Sequence, residues 1–134
     1  MHGLSSRAEQ RLRDELIIWL TTVTRAGLPQ TSPVWFLWDG AEFLIYSLPG
    51  TARTRNIEAN PRVSLNLDGD GQGGAVVTIE GLARLDLHAP ASTDVPDYAA
   101  KYRRKIASHG WTPESFAADY PVPIRITPTR ARSW

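Results

Sequence analysis

The chain has 134 residues, 42% of them hydrophobic and 22% charged, with a formal charge of +1, the balance of an ordinary globular domain. It has no cysteine, which excludes disulfides, cysteine-ligated zinc, iron–sulfur clusters and thiol nucleophiles together. Thirteen of the fifteen basic residues are arginine, yet no long basic run forms a nucleic-acid footprint and no apolar run is long enough to span a bilayer.

The opening segment is charged and has no apolar core, so no secretory signal is expected and the cytoplasm is the default location. Ala8, Leu12, Leu16 and Ile17 recur at helical spacing and predict a helix over 6–16. The β-branched run 17–24 predicts a strand, which the turn at 25–27 ends. Residues 29–38 predict a second strand, and Asp39-Gly40 signals a hairpin into a third over 42–47. Thr51 is a natural N-cap and Asn60-Pro61 a natural stop, so a helix of about two turns is expected over 52–59. Over 62–67, Val63, Leu65 and Leu67 alternate with Ser64 and Asn66, which predicts a half-buried strand. Residues 68–74 are a glycine-rich turn, and 75–87 a long strand in which Gly81 marks a bulge or bend. Two helices follow, about 94–107 and 112–119, the second with Thr112 as N-cap and Pro113 in the first helical position. The last strand starts at Val122. Six short strands with helices between them predict a single domain over 1–134, mainly β (α+β): a six-stranded antiparallel barrel with flanking helices, since closure removes exposed edges.

Chemistry is scarce. His2, His88 and His109 are far apart, with no metal-ligand spacing, and read as scattered surface residues; no metal site is expected. No nucleophile elbow is present, and the hydroxyl residues have no evident His and Asp partners. The run 68–74 lacks the Gly-Lys-Ser/Thr ending of a phosphate loop and the closing Glu of a calcium loop. No catalytic residue is therefore assigned. Either the protein is not an enzyme, or a cofactor carries the reactivity.

Arg53 stands out. It falls in the first turn of the 52–59 helix, where the helix macrodipole disfavours a cation by about 0.3–1 kcal/mol. A phosphate at that helix end would resolve the conflict, held by backbone N–H groups, by the hydroxyls of Ser47, Thr51 and Thr54, and by the guanidinium fork. The alternative is a solvated Arg53, or one paired with Glu58 or Asp68. Arg55, two positions on, points away from Arg53 on a regular helix. Trp35 either walls a ring-binding pocket or packs the core, and the run 98–105, with Lys101, Arg103 and Arg104, reads as a solvated face.

Residues 27–40, 46–68, 76–85 and the tail 120–134, in that order, resemble the split β-barrel family of flavin- and deazaflavin-binding proteins related to pyridoxamine 5'-phosphate oxidase. More narrowly they resemble its actinobacterial branch, which uses the deazaflavin coenzyme F420. The resemblance implies a homodimer with the cofactor at its interface. Arg53 matches the basic residue that holds the phosphate, with Thr51, Arg55 and Asn56 at neighbouring positions. Gln30, Thr31, Ser32, Pro33, Val34 and Trp35 match the segment along the tricyclic ring, and Tyr46 and Ser47 the strand beside the phosphate. A second copy is expected to contribute near Gly73–Ala75 and at Trp134. The extra basic residues and longer C-terminal part of true pyridoxamine phosphate oxidases are missing, which argues against that activity. The implied function is hydride transfer from reduced F420 to an unsaturated small molecule, with no nucleic-acid or membrane partner. FMN in place of F420, or a cofactor-binding protein without turnover, fits the same residues.

Overall fold

In the computed structural model, which describes residues 2–134, Ser5 accepts a hydrogen bond from the Ala8 amide (3.1 Å) and so starts α1 (Ser6–Asp14). The helix ends two residues before the expected 16 because Glu15 turns extended. There follow β1 (Ile18–Val23), β2 (Pro29–Val34), β3 (Leu37–Trp38), β4 (Phe43–Ser47), α2 (Ala52–Ala59), β5 (Arg62–Asn66) and β6 (Val77–Leu85). A short 3-10 turn (Ser92–Asp94) leads into α3 (Pro96–Ser108), α4 (Pro113–Asp119) and β7 (Val122–Ser133). The strands form one antiparallel sheet in the order β2-β1-β5-β6-β7-β4-β3. The mainly β (α+β) class with flanking helices is as expected, as a curled half-barrel of seven strands in place of six.

The extra strand has a physical cause. What reads as one strand over 29–38 is two, β2 and β3, at opposite edges of the sheet. Trp35 and Phe36 carry the chain from one edge to the other. A residue in that crossing belongs to neither ladder, so its backbone polar groups need other partners. Phe36 finds them on α3: its N–H donates to the Tyr102 hydroxyl (2.7 Å), and its carbonyl accepts from Lys101 Nζ (2.8 Å). The single Tyr102 hydroxyl hydrogen lies between the carbonyls of Leu16 (2.8 Å) and Phe36 (3.0 Å). Lys101 Nζ also sits 3.8 Å above the Phe36 ring centroid.

Two apolar clusters result. The larger fills the curl of the sheet with Leu12, Ile18, Leu20, Phe36, Phe43 and Ile124, and takes in Val63, Leu65 and Leu67 as the alternation over 62–67 predicted. The smaller lies under α3 and α4, where Tyr98, Tyr102, Ile106 and Phe116 meet Leu44 and Tyr46. The bulge expected at Gly81 is present: Glu80 pairs with Arg130 but Gly81 with Pro128. A Cβ on Gly81 would lie 2.8 Å from Ile126 Cγ2 and 2.9 Å from the Thr127 carbonyl oxygen, so no side chain fits there.

Two neighbouring tyrosines should respond oppositely to loss of the hydroxyl. Tyr102→Phe strands the buried Phe36 N–H and is expected to cost about 2–4 kcal/mol in urea denaturation. The Tyr98 hydroxyl is buried with no partner, so Tyr98→Phe should leave stability unchanged or raise it by about 1 kcal/mol. Equal losses would show that the Tyr102–Phe36 hydrogen bond does not carry the crossing. Lys101 gives a pH test. Burial pulls its ammonium down to about 8, against the opposing pull of Asp14 and Glu15. The unfolded chain keeps that proton to about 10.4, so between these values it binds more protons and stability rises with pH. Burial pushes Tyr46 up to about 12 and raises Tyr98 and Tyr102 as well, which reverses the trend above about pH 10. From pH 8 to 9.5 the wild-type urea midpoint should therefore gain on that of Lys101→Met; parallel midpoints would refute the assignment.

Candidate functional site

The Thr51 hydroxyl accepts from the Thr54 amide (3.3 Å) and caps α2, which puts Arg53 in the first turn. From there the side chain reaches across to β2, where Nη2 donates to Ser32 Oγ (3.0 Å). Its Nε is buried and has no partner among the described residues. Neither carboxylate considered from the sequence takes it, and among the described residues Arg53 forms no ion pair; Asp68 instead accepts from Trp19 Nε1 (2.8 Å). Burial lowers the guanidinium's pKa, with Tyr120 opposing, but an arginine stays charged. A half-buried cation with one unused N–H is costly unless an anion accompanies it.

Arg53 borders two cavities. One, of about 220 Å³, is polar and lies at the start of α2, lined by Thr22, Gln30, Thr31, Ser32, Thr51 and Ala52. The other, of about 350 Å³, is aromatic: Trp35, Trp111, Phe116, Tyr120 and His109 wall it, together with Pro33, Val34, Tyr46 and Leu48. The polar cavity thus gathers Gln30, Thr31, Ser32 and Thr51 of the expected site, and the aromatic one Pro33, Val34, Trp35 and Tyr46. β2, which supplies most of them, pairs only with β1, so its other edge is free.

Three expected residues lie outside both walls. Asn56 is buried, and its Nδ2 donates to Thr22 Oγ1 (3.0 Å) and Gln30 Oε1 (2.9 Å), clamping α2 to β1 and β2. Ser47 is fully buried and donates to the Leu48 carbonyl (3.0 Å). Arg55 is exposed and turns back to the Gly50 carbonyl (2.6 Å). The Thr54 hydroxyl likewise turns inward, to the Thr51 carbonyl (2.9 Å). The hydroxyl that meets Arg53 is that of Ser32.

Trp35 both packs and lines. Its ring stacks on Tyr102 (4.8 Å between centroids) and on Phe116 (5.2 Å), and its remaining surface faces the aromatic cavity. Tyr46 stays protonated near neutrality, with its hydroxyl donating to the Pro90 carbonyl (2.8 Å). Lys101 leaves the solvated face expected of the 98–105 run and joins the chain crossing. His109, Trp111, Phe116 and Tyr120 had no place in the expected site. The i,i+4 spacing of Phe116 and Tyr120, whose rings stack at 4.7 Å, was a usable signal for one aromatic face. His109 is exposed, but its ring lies 4.4 Å from that of Trp111, which only the turn after α3 brings about. Among the described residues no group of His, Asp or Glu could hold a metal ion, and no helix is long and apolar enough to cross a membrane. Ala75 and Trp134 border a separate cavity with Ser5, Arg7, Arg11 and Asp70. It shares no residue with the two at Arg53.

The sequence matches the profile of the pyridoxamine 5'-phosphate oxidase family over residues 4–134. No curated protein matches it. Among solved structures, an F420 reductase is similar at 26% identity and a TM-score of 0.70, over 96% of this chain and 98% of that one. A candidate pyridoxamine 5'-phosphate oxidase from Listeria innocua gives 24% identity and 0.71, over 94% of each chain. The heme-storage protein HutZ of Vibrio cholerae gives 16% and 0.67, over 98% of this chain and 94% of that one; these last two likenesses speak for the fold alone. With the profile spanning nearly its full length, the chain belongs to the pyridoxamine 5'-phosphate oxidase family.

Proposed function

We propose that the protein is a reductase that binds coenzyme F420 and delivers hydride to an unsaturated small molecule. The observation that carries this is Arg53: a half-buried cation with an unused Nε–H, beside a helix N-terminus, on the border of a polar and an aromatic cavity. The donor set suits a phosphate. The Thr51 cap occupies the Thr54 amide, while the first amides of α2 have no partner within the helix. The guanidinium fork adds charge and direction. The polar cavity then takes the phosphate, the free edge of β2 runs along the ring, and the aromatic cavity is left for the acceptor. When bound, the deazaflavin supplies the hydride. The chain's own work is to bind, to orient and to exclude water, which agrees with the absence of an assigned nucleophile or base.

The likeness to an F420 reductase over nearly the whole chain favours F420 over FMN. FMN carries the same phosphate and is the specific competitor. The site is completed by a second copy: Leu48 on the rim of the aromatic cavity is 43% exposed and Trp134 68% exposed, apolar surface that a homodimer would cover.

Fluorescence titration of wild type and Arg53→Ala with F420 and with FMN tests the proposal. F420 should bind the wild type more tightly, and Arg53→Ala should lose about 1.5–3 kcal/mol, roughly 10- to 150-fold in Kd. Preference for FMN would move the protein to the flavin-dependent reductases. Binding without reduction of any conjugated acceptor would make it a cofactor-binding protein. An unchanged Kd in Arg53→Ala would remove the phosphate assignment.

A further inference from the structure

We propose that the aromatic cavity selects a flat, conjugated ligand bearing carbonyl or anionic oxygen and rejects cations of the same shape. This rests on the hydride-transfer proposal above, for which it defines the class of acceptor. An aromatic-walled cavity alone would equally suit a cation, since ring faces attract positive charge. The polar groups decide between the two. Among the described residues no carboxylate lines the cavity. What does line it can donate: the Arg53 guanidinium, the Trp111 indole N–H, the Tyr120 hydroxyl and the His109 imidazole, which carries an N–H in either tautomer. The Tyr46 hydroxyl donates its own hydrogen to Pro90, so it adds no donor to this set and keeps only the acceptor capacity of a neutral oxygen. A second positive charge stands close by, with Lys105 Nζ 5.8 Å from the Trp35 ring centroid. An arriving cation would meet two like charges and no counter-charge. An oxygen acceptor meets donors.

Shape follows from the walls. Phe116 is stacked at 15° to both Trp35 and Tyr120, and His109 at 18° to Trp111, while the second group is inclined at 30–45° to the first, so the walls are two sets of near-parallel rings that meet at an angle. A cavity of about 350 Å³ lies at the small end of ligand sites and fits a fused two-ring system better than a larger one. The ligand class is therefore a small planar conjugated carbonyl compound or its anion, a class that hydride transfer reduces.

The test uses the full chain without cofactor and two probes of like size and flatness, naphthalene sulfonate and N-methylquinolinium, followed by tryptophan fluorescence. The sulfonate should bind at least tenfold more tightly than the quinolinium. His109→Ala, at an exposed position, and Trp111→Ala, at a half-buried one, should each weaken it several-fold and leave the F420 Kd unchanged. F420 should bind without displacing the sulfonate. Equal or better binding of the cation would overturn the charge argument, and mutual displacement would give the cavity to the cofactor ring instead of the acceptor. If F420 fails to bind while the sulfonate binds selectively, the hydride-transfer function falls and the ligand preference of the cavity stands.

Discussion

The Tyr102 hydroxyl is the contact on which the rest of the architecture depends. A sheet that curls until its two edge strands are consecutive in the chain must pass through a residue that neither edge can pair. Here that residue is Phe36, whose N–H and carbonyl are both met from α3. Without those bonds the crossing would bury two unsatisfied backbone groups, each costing about 1–3 kcal/mol. α3 is thus tied to the sheet at the point where the sheet would otherwise be open. The same tie fixes Trp35, one residue earlier, with its ring against Tyr102 and Phe116 at the border of the aromatic cavity.

Arg53 poses the complementary problem, a charge held where water is partly excluded. The fold offers it one hydroxyl, Ser32, and no carboxylate. Evenly shared surface charge is cheap and common; a half-buried guanidinium with an idle N–H is neither. Its neighbours are arranged to hold β2 and α2 in register and do not neutralise it. Asn56 spends both amide hydrogens on Thr22 and Gln30, and Thr51 closes the helix end. The positive end of α2 and the guanidinium therefore add to one another, and no carboxylate among the described residues offsets them.

Much of this was legible in the sequence, for identifiable reasons. α2 was fixed by its cap and stop, β5 by strict alternation, and the Gly81 bulge by a glycine inside an otherwise β-rich run. The unusual place of Arg53 was legible because a cation in a first helical turn violates a local electrostatic rule. The break at Trp35-Phe36 was not. Pro33 confines its strand to an edge, but nothing after it in "PVWFLW" interrupts β propensity, and the crossing at 35–36 is held by Tyr102 and Lys101 some 65 residues away in the chain. The aromatic wall failed for a similar reason: Trp111, Phe116 and Tyr120 look like core residues of short helices. Only the packing of α3 and α4 over β4 and the crossing brings them to the wall of a cavity.

Residues 29–36 show how these two constraints act together. Gln30 is held by Asn56, Ser32 by Arg53 and Phe36 by Tyr102, so one short segment is pinned at three points by three side chains from two helices. An edge strand with only one paired neighbour would ordinarily be free to fray or to recruit another strand. Pinned this way, it keeps its outer edge open and fixed in position at once. The proposed function would use that combination, because a site that orients a bound ring loses most of its rate when the ring is misplaced by about an ångström. The helices are therefore as much part of the site as the strand they hold, although neither Tyr102 nor Asn56 lines a cavity at Arg53.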